Sequence, residues 1–214
     1  MVDPELWLLE TVVEIPMPFW SLVHPRIEEL LNKAGHGLGL TALSELLERL
    51  NWNGDIFIED EHCRKRLYSA NELSGLLRRG RRTGDHRWGL TEKGGARWER
   101  EADADWSRYV SEAWGTLEET GSEETHLWEG EVACTDPERL DRWIVVRLPA
   151  FGQQILPGTE KREVVAPWKA TYWKTLPVGH RLTGKVLYGC PEIRGASGYS
   201  SEFDVWYRSS CKDA

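Results

Sequence analysis

Arg78, Arg79, Arg81, Arg82, Arg87 and Lys93 fall within one short stretch of the chain. Guanidinium forks and ammonium charges hold phosphate oxygens, so the chemistry to expect here is anion capture. Five such contacts would give a slope of about −4.5 for log affinity against log salt. The competing reading pairs these cations with acids of the same chain. A second stretch interleaves cations with rings: Lys161, Arg162, Trp168, Lys169, Tyr172, Trp173, Lys174, Arg181 and Lys185. That pattern suits bases stacked above a phosphate track. It suits equally well a set of core rings with lysine heads turned to solvent.

Other reactive residues do not assemble into a catalytic pattern. There is no His-Glu-x-x-His, phosphate-binding loop, Gly-x-Ser-x-Gly or dinucleotide fingerprint, and Gly35-His36-Gly37-Leu38-Gly39 reads as a loop. His126, Glu129 and Glu131 can share a strand face, but two exposed acids on a solvated strand explain them as well. Cys190 or Cys211 would need a positioned histidine to act as a nucleophile. Cys63, Cys134, Cys190 and Cys211 are far apart, and His62-Cys63 is the only tight pair of soft ligands. Neither a disulfide framework nor a structural zinc site is expected. The expectation is a non-enzymatic chain with no cofactor and no metal.

With 214 residues and a net charge of −8, the chain suits one large domain or two small ones. The total hides a block pattern. Residues 1–61 carry 3 basic and 12 acidic side chains, and residues 62–100 carry 11 and 4. Residues 101–160 carry 4 and 14, and residues 161–185 carry 6 and 1. Such blocks create local fields whatever the overall sign. No apolar run is long enough to span a bilayer, and Met1-Val2-Asp3-Pro4-Glu5 lacks the basic start of a secretory signal. The expectation is a cytoplasmic protein that does not engage membranes. Twelve tryptophans imply large core rings or aromatic contact surfaces.

The elements that would position the first cation cluster are helical. Asp3-Pro4-Glu5 opens a helix, Pro25–Ala34 reads as a second, and Thr41 can cap a third whose Leu43, Leu46, Leu47 and Leu50 form one stripe. Ile56-Phe57-Ile58 reads as a short strand. Ser69-Ala70-Asn71-Glu72 is a capping box, and Gly80 ends the helix that it starts. Arg81–Trp88 reads as a β-hairpin with a basic Gly84-Asp85 tip.

The hairpin leads into Leu90-Thr91-Glu92-Lys93-Gly94, where the segment resembles a winged helix-turn-helix of the MarR-like kind. In that family the last wing strand delivers a Leu-Thr-x-x-Gly helix cap. Leu40-Thr41, Ser44-Glu45-Leu46 and Leu50 resemble its first helix, and 70–79 stands where its recognition helix would be. The resemblance covers roughly residues 25–102. It implies that the wing arginines lie against a DNA backbone. One departure is that residues 51–69 replace the family's short turn between the two central helices.

Trp106, Tyr109, Val110, Ala113, Trp114 and Leu117 share a face at helical spacing. That face would pack on its own domain or form a homodimer seam through residues 105–117. Acidic residues 118–125 read as a linker, so the expected domains are 1–117 and 126–214. The second is expected to be β-rich, with strands at Leu127–Cys134, Ile144–Val146, Glu163–Ala166, Arg181–Tyr188 and Glu202–Tyr207, and a short helix after Asp136-Pro137-Glu138. The fold class expected is α+β: a winged-helix domain with flanking helices, then a small β-rich domain. The functional expectation is a regulator that binds DNA or another polyanion through its first domain, while the second senses or recruits. The alternative is an immunity- or antitoxin-like protein, or an adaptor, that offers acidic residues 101–160 to a basic protein partner.

Overall fold

The computed structural model describes residues 3–31, 33–83, 86–119, 126–188 and 206–207. The fold is α+β, with antiparallel sheets. The chain divides into two compact units: Met1–Ala104 with Thr171–Lys174 and Tyr207–Ala214, and Asp105–Ala170 with Thr175–Trp206. No helix among the described residues is long and apolar enough to cross a membrane.

In the first unit, Asp3 accepts the Glu5 amide at 2.9 Å and Pro4 takes the first turn of helix α1 (Pro4–Thr11). Strand β1 (Met17–Pro18), a 3-10 turn at Phe19–Val23 and helix α2 (Ile27–Leu31) follow. The last is shorter than its apolar spacing suggests. Helix α3 (Leu40–Trp52) buries Leu43, Leu46, Leu47 and Leu50, the stripe read from the sequence, but it starts one residue before Thr41 with Gly39 at the cap position, so Thr41 does not cap it. Strand β2 (Ile56–Glu59) turns at Asp60–Arg64 into β3 (Lys65–Arg66). Helix α4 (Ala70–Arg79) starts at a complete Ser69/Glu72 capping box and buries Leu73, Leu76 and Leu77. Strand β4 (Arg87–Leu90) delivers Thr91, whose hydroxyl accepts the Gly94 amide at 3.1 Å and caps helix α5 (Glu92–Ala102).

The sheet of this unit runs β1-β4-β2-β3, with Trp88 of β4 opposite both Met17 and Ile58. Glycine lets α5 approach it closely. A Cβ on Gly94 would lie 1.8 Å from the Asp55 carbonyl oxygen, and one on Gly95 would lie 2.1 Å from the Trp173 ring. Arg97 on α5 then reaches Glu5, Asp55 (3.1 Å) and Glu101 (2.8 Å), tying α1, the start of β2 and α5 together. The 171–174 tip completes the unit. The Tyr172 hydroxyl donates to the Val12 carbonyl at 2.6 Å, and the Trp173 indole donates to Val13 at 2.8 Å.

One further expectation for this unit is corrected. Residues Gly80–Thr83 form a 3-10 turn rather than a hairpin arm, and the expected Gly84-Asp85 tip lies outside the described residues. Arg81-Arg82-Thr83 has no apolar alternation to bury, while β4 satisfies its backbone between β1 and β2 instead. The hairpin that does form, β2–β3, lies between α3 and α4, where a helix-turn-helix has a short turn.

In the second unit, a 3-10 turn (Trp106–Arg108) leads into β5 (Val110–Glu119), which pairs with β6 (His126–Cys134). Helix α6 (Pro137–Arg142) starts at an Asp136 cap and continues through a π turn (Trp143–Arg147) and α7 (Leu148–Ala150). Strands β7 (Gln153–Ile155), β8 (Lys161–Val165), the β9–β10 pair (Trp168–Lys169, Thr175–Leu176) and β11 (Gly179–Tyr188) follow. The sheet order is β5-β6-β11-β7, with β8 also on β11. Val132, Cys134, Leu140, Trp143, Leu148, Ile155, Leu182 and Val186 form one core cluster.

The amphipathic helix expected over 105–117 is therefore a turn and a strand, and no helical dimer seam exists there. Trp, Tyr, Val and Thr favour strands, and Gly115 costs a helix interior about 1 kcal/mol. The full-length partner β6 decides the matter. The first change of unit along the chain falls between Ala104 and Asp105; of the expected linker 118–125, residues 118 and 119 end β5 and 120–125 lie outside the described residues. Ile144–Val146, expected as strand, stays helical because the run begun at Asp136 continues and buries Trp143 and Leu148 on one side. Of the strand expected at Glu202–Tyr207, only 206 and 207 are described.

Candidate polyanion interface

Burying Leu73, Leu76 and Leu77 fixes which side of α4 faces water. Gly75, Arg78 and Arg79 are left exposed, and the two arginines occupy the last turn, where the helix dipole favours cations. Arg81 follows on the 3-10 turn. Its guanidinium lies 4.6 Å from the centre of the Trp20 ring, a stacking that orients the planar fork. Arg78, Arg79 and Arg81 make no ion pair with a carboxylate among the described residues.

The β2–β3 hairpin adds Arg66 to this side. Its guanidinium lies over the Tyr68 ring at 5.2 Å. Arg66, Tyr68, Glu72, Gly75, Arg79 and His86, with Leu76 beneath, line an open cleft of about 540 Å³. Tyr68 is 4% exposed, and its hydroxyl, shielded from solvent, has no hydrogen-bond partner among the described residues. Burial pushes its pKa up, so the phenol keeps its proton. Glu72 Oε2 accepts from the Ser69 amide (2.8 Å) and hydroxyl (2.7 Å). The Ser69 amide is the main reason its carboxyl is held below the usual range, and Arg66 adds to the effect. A Cβ on Gly75 would meet nothing within 4 Å.

Several of the remaining sequence candidates hold the fold instead. Arg87 donates to the Pro16 carbonyl at 3.0 Å, beside the β1–β4 ladder. Lys93 donates to the Asn53 carbonyl and lies 3.8 Å from Asp55. The side chain of Arg82 lies outside the described residues. In the second stretch, Trp168 is buried and stacks with Tyr109, and Trp173 packs edge-on against Trp98. Arg162 pairs with Asp141 at 2.5 Å and Lys174 with Glu99 at 2.5 Å. Arg181 pairs with Glu163 and, at 3.4 Å, with Glu131. Lys161 and Lys169 are exposed. The core-ring reading therefore applies to the tryptophans, and carboxylates hold Arg162, Lys174 and Arg181 between them.

Sequence reasoning missed Arg66, Tyr68, Gly75 and His86. Gly75 was the available signal, because a glycine inside an otherwise good helix former has a cost that something must offset. Among the described residues, no group of three or more His, Cys, Asp and Glu side chains could hold a metal ion. Burial pushes the Cys134 thiol up to about 11, so it is not a thiolate at neutral pH. Cys190 and Cys211 lie outside the described residues. No protein-family model, curated protein or solved structure matches the chain.

Proposed function

We propose that the first unit binds a polyanion, with a nucleic-acid backbone as the fitting case, and that the protein acts by binding rather than by catalysis. One observation carries this reading: Arg78, Arg79 and Arg81 stand exposed at the end of α4 without a carboxylate in ion-pair reach among the described residues. An arginine that already holds a carboxylate must give it up to hold phosphate, whereas these three need not. Arg66 extends the same cationic side from β3. The winged-helix resemblance belongs to this proposal. Its supporting marks are the capped helix over 70–79 and the Thr91 cap after β4, and its departures are the β2–β3 hairpin and the 3-10 turn. The second unit would sense or recruit.

The test is fluorescence anisotropy of a labelled duplex DNA with the full chain across a salt series. Four phosphate contacts predict a log–log slope of about −3.6, and Arg78→Glu with Arg81→Glu should reduce it to about −1.8 or flatter. Absence of binding by the wild type at about 50 mM salt would overturn the proposal.

A further inference from the structure

We infer that the cleft between β3 and α4 is a binding site for a phosphorylated pentose, the unit that a nucleoside monophosphate carries. This goes beyond polyanion binding and survives its failure, since Arg78 and Arg81 do not line the cleft.

The chemistry of the lining selects the ligand. Arg66 and Arg79 present forked N–H donors from two different elements, which matches the several oxygens of a phosphate monoester better than the two free oxygens of a backbone diester. Tyr68 is 4% exposed, and its hydroxyl is shielded from solvent without a partner among the described residues. A buried hydroxyl left unsatisfied is costly, and a shift of the ring that lets a ligand oxygen reach it would remove that cost. Glu72 opposes a bare anion but suits a sugar. Its Oε2 is engaged by Ser69, and Oε1 makes no hydrogen bond among the described residues, leaving an acceptor for a ligand hydroxyl. Gly75 and Leu76 give the cleft a floor without polar side chains, and the absent Cβ at Gly75 keeps it open. His86 closes one side, its ring edge-on to Tyr68 at 6.4 Å between centroids. At about 540 Å³ the space admits a small ligand rather than a bare ion.

The test is isothermal titration of the full chain with ribose 5-phosphate, ribose and inorganic phosphate. Ribose 5-phosphate should bind saturably and at least about tenfold more tightly than either fragment, as expected when two recognised groups are joined. Tyr68→Phe should weaken it about fivefold, the effect of one hydrogen bond. Gly75→Leu should abolish binding while leaving the circular dichroism and melting of the chain intact, because the position is open and leucine is the better helix former. Competition by a 5′-phosphorylated but not a 5′-hydroxyl oligonucleotide would assign the ligand to a nucleic-acid end. Failure of both to compete would assign it to a free small molecule. No heat at millimolar ribose 5-phosphate, equal binding of inorganic phosphate, or undiminished binding by a folded Gly75→Leu chain would each overturn the inference.

Discussion

Residues 62–100 and 161–185 carry the same signature in the sequence, a basic block that follows an acidic one, yet the folded chain uses them differently. In the later block Arg162, Lys174 and Arg181 are each held by a carboxylate, and Trp168 is buried. In the earlier block the arginines divide. Arg64 and Arg97 are committed to Asp60, Glu5, Asp55 and Glu101, whereas Arg78, Arg79 and Arg81 have no such partner among the described residues. A basic run thus reports only that cations are present. Whether they face a partner molecule or their own chain depends on where the acids of distant segments fold back to.

If that division is right, stability and binding should separate by residue. Arg97→Ala should cost the most stability, about 3 kcal/mol by chemical denaturation, because nearly buried Asp55 would lose its closer partner and keep only Lys93 at 3.8 Å, while Glu5 and Glu101 lose theirs on the same side chain. Arg181→Gln, on a partly exposed pair of acids, should cost about 0.5–1 kcal/mol. Arg78→Gln and Arg79→Gln should stay within about 0.5 kcal/mol of the wild type. A large loss at Arg79 would show that it is committed to the fold and would erase the distinction.

The Asp60 turn offers a pH test within the committed set. The Arg64 side chain, then the Arg64 and His62 amides, hold the Asp60 carboxyl well below the usual carboxylate range. A depressed folded pKa contributes stability that is present above the unfolded value of about 3.9 and is lost as pH falls toward the folded one. Acid unfolding of the wild type should therefore show this limb, and Asp60→Asn should flatten it. An unchanged acid limb in the variant would place the dependence elsewhere.

What the sequence made legible was local. Asp3, Ser69, Thr91 and Asp136 all cap the helices that they were read to cap, because a side-chain oxygen two or three residues ahead of an amide needs no distant partner. What misled was pairing across the chain. Trp106 to Leu117 fits a helical face, and only the ladder to β6 makes it a strand. Arg81 to Trp88 looked like a hairpin until β4 found β1 and β2. The same limit applied to the site. Arg79 could be named from the end of its helix, but Arg66, Tyr68 and His86 join it only through the β2–β3 turn and the approach to β4.

The contrast between committed and uncommitted arginines is tested most directly by duplex DNA affinity at about 50 mM salt, measured side by side for Arg78→Glu with Arg81→Glu and for Arg162→Gln with Arg181→Gln. The account predicts that the first pair loses about a hundredfold or more in affinity with little change in melting, while the second changes affinity by less than about threefold. Equal losses in both, or a greater loss in the second, would contradict it.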